Sequence, residues 1–170
     1  MSYRPVLPLP GYAGWRLLSR TAPQQQAAFR QGAAQARAAD HFRANIARAT
    51  TAEALVADRR LLEVALGAFG LQADLNARAF LRKVLEGGTL DPGALANRLA
   101  DKRYAAFALE FGYGDLGART GLPGFADRIL ARYEAQAFQA AVGERDNAMR
   151  LALNLGPALA ELGERTGNAN

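Results

Sequence analysis

β-Branched residues are scarce in this chain and no window alternates apolar and polar residues with period two, while Ala, Leu, Gln and Arg fill long stretches free of proline. Ala and the straight-chain residues are the strongest helix formers, and a sheet needs the missing alternation to bury one face. The expectation is an all-α fold, a compact multihelical domain of about six or seven helices packed through local contacts. The C-terminal helices are expected to lie across the middle ones. With 170 residues, half of them apolar, the chain is long enough to bury a real core.

Gly and Pro punctuate the helical rhythm and divide the chain. Residues 1–21 carry three prolines and two glycines and read as a mobile N-terminal arm without one regular element, in which Trp15, Leu17 and Leu18 pack back onto the domain. From Pro23 to Ala49 only Gly32 interrupts, which predicts one long helix. Thr50 and Glu53 stand at capping-box spacing and predict a new helix start. Leu55 to Phe69 reads as one run stopped by Gly70 in the left-handed conformation. Asp74 is placed to cap the next helix, which Gly87 and Gly88 end, and Asp91-Pro92 reads as a cap followed by proline in the first turn. Leu95 to Phe111 follows, bent near Ala100 and Asp101. Five glycines and Pro123 make 112–124 a loop, and Pro123 opens a last helical region, Phe125 to Glu164, broken at Gly143 and at Gly156-Pro157. The domain is expected over residues 22–165, with a frayed tail at 166–170.

The 21 basic and 16 acidic residues are unevenly placed. The segment before residue 51 carries +6 and the remainder −1. At about 100° per residue, Arg30, Arg37, His41 and Arg48 fall on one solvent-facing stripe of the expected long helix. That stripe, with Arg16 and Arg20, is the place for an anionic partner, either nucleic acid or acidic lipid.

The residues offer little chemistry. Cys is absent and His41 is the single histidine, so neither a thiolate zinc site nor a multi-histidine metal site can be built from one chain. Ser2 and Ser19 are the only serines, and no nucleophile elbow, Walker loop or dinucleotide fingerprint occurs. Asp91 and Asp101 read as helix caps rather than as a catalytic carboxylate pair. No enzyme activity, cofactor or metal is expected. Basic pairs recur beside acids at Asp58-Arg59-Arg60, at Arg82-Lys83 before Glu86 and at Asp101-Lys102-Arg103. They read either as intrahelical pairs on solvated faces or as Asp58 or Asp101 buried with an Arg partner. A nucleic-acid face there is disfavoured, because residues 51–110 have no net charge.

Several ordered motifs nevertheless carry a resemblance. They are Asp58-Arg59-Arg60-Leu61-Leu62 continuing to Phe69-Gly70-Leu71, Phe80-Leu81-Arg82-Lys83-Val84, Asn97-Arg98-Leu99-Ala100-Asp101-Lys102-Arg103-Tyr104, and Met149-Arg150-Leu151-Ala152-Leu153-Asn154. Over residues 15–155 the chain resembles the domain of unknown function 1217 family. That resemblance implies a helical protein linked through its genes to the flagella of alphaproteobacteria, with no catalytic residues to carry over. It marks Asp58, Arg60, Phe69, Gly70, Phe80, Arg82, Lys83, Asn97, Asp101, Arg103 and Tyr104 as a structural motif. It also implies that members continue into a second half beyond the point where this chain stops. The function expected is a protein-interaction module in flagellar assembly or motility, with a flagellar component as partner. Anion binding by the Arg stripe and self-association through an Ala-rich helix are the alternatives. No cleavable secretion signal and no transmembrane stretch is read, so the expected place is the cytoplasm, or export by the flagellar apparatus.

Overall fold

A computed structural model describes residues 4–155, and the expected tail, the break at Gly156-Pro157 and the end of the last helix lie outside the described residues. The described residues form nine α-helices and no strand: α1 (Gly11–Arg30), α2 (Ala33–Asn45), α3 (Ala52–Ala57), α4 (Arg59–Phe69), α5 (Arg78–Gly87), α6 (Leu95–Arg98), α7 (Arg103–Phe111), α8 (Phe125–Gly143) and α9, described over 147–155. The all-α expectation holds. The count exceeds six or seven because three of the expected runs are cut, among them Leu95 to Phe111, which is broken rather than bent and forms α6 and α7 on either side of residues 99–102.

The first cut replaces the single helix expected over Pro23 to Ala49. Gly32, the one glycine in that stretch, donates its amide to the Phe29 carbonyl, and α1 ends at Arg30 before α2 begins at Ala33. In the other direction α1 reaches back to Gly11, because the three early prolines all precede it and Pro23 sits on its exposed side. There the carbonyl that Pro23 leaves without its helical partner can turn to water. The arm expected over 1–21 is thus helical from Gly11 onward, and ahead of it the Gln25 amide bonds the backbone of Val6 through both its oxygen and its nitrogen. Of the three residues expected to anchor it, Leu18 is buried, Trp15 is half-buried and Leu17 is exposed.

The second cut falls at Asp58. Its carboxylate accepts the amides of Arg60 at 2.9 Å and Leu61 at 3.1 Å, so α4 starts there and α3 stays a separate two-turn helix. The cap of α3 is Thr51, whose hydroxyl accepts the Ala54 amide, one residue later than the Thr50 expected. Asp74 does not cap α5. It ends a 3₁₀ turn and turns its carboxylate to Tyr104, while α5 begins four residues on, at Arg78. Asp91 closes a tight turn on the Gly93 amide instead of opening a helix at Pro92. Gly70 does stop α4 as expected, with φ +70°, and the Leu71 amide returns to the Leu66 carbonyl at 2.9 Å.

Chain contacts divide the molecule into two units, one made of the described residues up to Ala33 and from Ala137 on, the other of residues 34–136. The first buries Leu18, Phe29, Phe138, Val142 and Met149, with the Phe29 and Phe138 rings edge to face at 6.0 Å. The second has the larger core, in which Phe42, Leu62, Leu66, Phe107, Phe111 and Phe125 are sealed from solvent. Edge-to-face rings run through it from Phe69 to Phe107, Phe111 and Phe125 at 5.0–5.5 Å. Such contacts add about 0.5–1.5 kcal/mol each beyond the buried area. A smaller cluster of Val84, Ala96 and Ala108 packs α5, α6 and α7 together. Among the described residues, no helix is long and apolar enough to cross a membrane.

Candidate functional site

Residues 34–136 bring most of the motif residues into three polar constellations. The first joins α2 to the start of α4. The His41 ring sits on α2 one turn before Asn45, and its Nε2 lies 3.0 Å from Asp58 Oδ2. Asn45 donates its side-chain amide to both the Nδ1 atom and the backbone carbonyl of His41, at 3.3 and 2.9 Å. That arrangement makes Nδ1 an acceptor, so the Nε2 proton points at Asp58. Burial raises the Asp58 carboxyl, but bonds from the Leu61 amide, His41 and the Arg60 amide outweigh it and hold the group below its ordinary range. Both imidazole nitrogens are therefore engaged in a staple between two helices. A concavity of about 220 Å³ opens beside it, lined by Asn45, Arg48, Ala54 and Asp58.

His41 was expected on an exposed stripe with three arginines. It is half-buried instead, and the stripe is broken: Arg30 ends α1, Arg37 and His41 belong to α2, and Arg48 ends a 3₁₀ turn. Arg37 meets another motif residue. With Arg60, Glu63 and Tyr133 it lines a second concavity of about 260 Å³. Neither guanidinium has a partner among the described residues. Burial, with the charges of Glu63 and Glu134, raises the Tyr133 hydroxyl. The chemistry available there is that of an anion seat, two cations offset by one carboxylate.

The second constellation ties α7 to the end of α4. Asp101 is half-buried and grips the Arg103 guanidinium through both oxygens, at 2.6–3.0 Å, while Arg103 Nη1 reaches the Gly70 carbonyl at 2.6 Å. The bond from Arg103 holds the Asp101 carboxyl below its ordinary range. Next along α7, the Tyr104 hydroxyl donates to Asp74 at 2.6 Å, and its ring meets Phe80 edge to face at 5.3 Å. The hydrogen bond to Asp74, with burial, pushes Tyr104 up to about 12. Arg132 of α8 lies over the Phe69 ring at 5.1 Å. The α5 pair divides: Arg82 bonds Glu86 one turn on at 3.1 Å, whereas Lys83, expected near Glu86, has no partner among the described residues.

The third constellation locks two loops. The Asp115 carboxylate accepts the Thr89 amide and hydroxyl, at 2.6 and 2.9 Å, and the Leu90 amide at 3.1 Å. Asn97 donates to the carbonyls of Thr89 and Asp91, both at 2.8 Å. Gly114 lies so close to Glu86 and Gly88 that a Cβ would run into their backbones. On this locked pair of loops Leu90 and Leu116 stand 68% and 84% exposed. Sequence reasoning missed Asp115, because the partners of a loop carboxylate 26 residues away leave no local signal. It also missed the Tyr113 and Thr120 hydroxyls, which both donate to the Ala49 carbonyl, at 2.6 and 3.1 Å. Burial raises the Tyr113 hydroxyl.

Among the described residues, no group of three or more His, Asp or Glu side chains could hold a metal ion. Of the motif residues, Asp58, Asn97 and Arg103 bond backbone groups, and Asp101 pairs with Arg103.

No curated protein matches the sequence. A crystal structure of a protein from Agrobacterium tumefaciens is similar at 31% identity and a TM-score of 0.78, over 89% of this chain and 69% of that one. The family described as a protein of unknown function, DUF1217, matches residues 68–164, a span that takes in Gly70, the α5 pair, Asn97 and the Asp101-Arg103-Tyr104 cluster. With its helical fold and more than half its length accounted for, the chain belongs to the DUF1217 family.

Proposed function

We propose that this chain is a non-enzymatic protein-interaction module serving flagellar assembly or motility. The observation that carries the interaction reading is the pair Leu90 and Leu116. Large apolar side chains held out in solvent by a hydrogen-bonded, backbone-interlocked loop pair are suited to a partner. The use of Asp58, Asp101, Arg103 and Tyr104 in helix caps and cross-links supports the same reading, since these groups are committed to holding helices together. The flagellar setting rests on the family resemblance.

Two measurements test it together. Deleting the gene should reduce swimming in soft agar, and cross-linking in flagellated cells should capture a flagellar component that a folded L90D/L116D variant releases. Intact motility with no flagellar component captured would overturn the proposal.

The concavity between Arg37 and Arg60 favours a second reading, binding of an anionic partner. Two phosphate contacts on duplex DNA predict a log–log salt slope of about −1.8. Binding that is absent, or indifferent to salt, removes this reading.

A further inference from the structure

The extended residues before α1 are seated the way a peptide ligand is seated. Gln25 is one of few buried polar side chains, and its amide takes both main-chain groups of one residue: Oε1 accepts the Val6 N–H at 2.8 Å and Nε2 donates to the Val6 carbonyl at 3.2 Å. The amide is held in that orientation by Thr21, one turn earlier on α1, whose hydroxyl accepts from Nε2 at 2.9 Å and itself donates to the Leu17 carbonyl. Arg145 donates to the carbonyl of Pro5 at 3.0 Å. Three consecutive main-chain groups are thus read by side chains, without regard to sequence.

The side chains of the segment alternate. Pro5 is buried and Leu7 packs against the cluster of Leu18, Phe29, Phe138, Val142 and Met149, while Val6 and Pro8 face solvent. Gly14 lets the segment close on α1, because a Cβ there would strike the Leu9 carbonyl and the Met149 methyl. The chain has no slack. Gly11 to Gln25 spans about 21 Å of helix, and the five residues from Val6 to Gly11 extend to at most about 18 Å, so only the reach of the Gln25 side chain completes the contact. Pro5 and Pro8 frame the stretch and hold it extended, the form in which proline-rich segments bind with little ordering entropy.

We propose that this groove is a peptide-binding site for an extended segment of Pro-x-x-Pro frame with an apolar residue before the second proline, and that the chain's own Pro5–Pro8 occupies it as an internal stand-in ligand. A partner supplying such a segment displaces it in trans. The tether gives the internal segment an effective concentration in the millimolar range, so the site is masked until a partner competes or the segment loosens. The inference is independent of the flagellar setting and of the Leu90–Leu116 surface.

The test uses the full chain and a fluorescein-labelled peptide of residues 4–10, followed by fluorescence anisotropy. V6P removes the one N–H that Gln25 accepts and loosens the internal segment. This variant should bind the probe about fivefold more tightly than the parent chain, the worth of one backbone hydrogen bond of about 1 kcal/mol. Adding Q25L should abolish the gain, and a probe with proline in place of its valine should bind V6P about fivefold more weakly than the parent probe. That last arm requires no further change to the protein, so it stands even where Q25L fails to fold. Equal binding by V6P and the parent, or equal binding of the two probes, would overturn the proposal. So would a concentration-dependent dimer, seen by sedimentation, that the probe does not dissociate, because the groove would then belong to the segment of a second copy.

Discussion

Arg103 closes the end of α4 from a distance of 33 residues: its Nη1 donates to the carbonyl of Gly70 at 2.6 Å, on the residue whose left-handed φ of +70° ends the helix. The Asp101 carboxylate holds the guanidinium in place for that bond. G70A should lose about 1–2 kcal/mol in urea unfolding, the cost of a Cβ in left-handed backbone, and its new methyl would lie 3.2 Å from the same guanidinium. R103K should destabilise less, since an ammonium reaches one partner but not the fork to both. A G70A chain as stable as the parent would contradict this account.

Tyr104 supplies an alkaline limit. Its hydroxyl titrates near 12 when folded against 10.0 ordinarily, so the folded state favours the protonated form. The stabilisation is complete below pH 10 and is lost as pH rises through 12. Thermal midpoints of the parent should fall across this window more steeply than those of Y104F, which has no proton to lose. Parallel pH profiles would refute the role of the Asp74 bond.

Asp58 acts in the opposite direction. Its carboxyl is held low, so its contribution is present above the ordinary carboxylate range and is lost as acidification protonates it in the folded state. D58A removes the cap of α4 and should cost about 1 kcal/mol, with an additional loss from the unpaired His41 ring. H41A should cost less, because the cap on Arg60 and Leu61 survives. Guanidinium unfolding of the two variants gives the order.

The locked loops should be least tolerant at a residue without a side chain. D115A removes three hydrogen bonds and should cost about 1–3 kcal/mol, leaving the loops able to relax toward water. G114A drives a methyl into the backbone of Glu86 and Gly88 and should destabilise more than D115A. Amide exchange of Thr89 and Leu90 should accelerate in both. Unchanged exchange in G114A would show that the loops do not interlock.

In the core of residues 34–136, Phe111 meets Phe107 and Phe125 edge to face, at 5.0 and 5.2 Å, and is sealed from solvent. F111A should cost about 3–5 kcal/mol, a large part of the stability of an ordinary domain. Substitution of the exposed Leu116 to Ala should leave the unfolding midpoint nearly unchanged. The contrast separates core from surface with one assay.

Local chemistry was legible without the structure. Helix formers in proline-free runs, the Gly70 stop, the loop at 112–124 and the break at Gly143 all act over one or two turns, so composition and spacing carried them. Boundaries that depend on a side chain choosing between two partners were not legible. Asp74 could have capped α5 but bonds Tyr104, and Asp58, read as one member of a charge pair, splits a helical run by capping α4 and binding His41. The Arg stripe failed for a related reason: it assumed one continuous helix, whereas α1 ends at Arg30 and α2 starts at Ala33, after Gly32.

By itself the sequence determined that this chain is helical, poor in nucleophiles and thiols, and basic before residue 51, because propensity, composition and charge reside in the residues themselves. Which groups meet was decided by tertiary structure alone. Asp115 with Thr89, Tyr113 with Ala49, Arg103 with Gly70 and Gln25 with Val6 lie 19 to 64 residues apart. A hydrogen bond forms only where packing of the apolar core has already brought donor and acceptor within about 3 Å, and no periodicity records that distance.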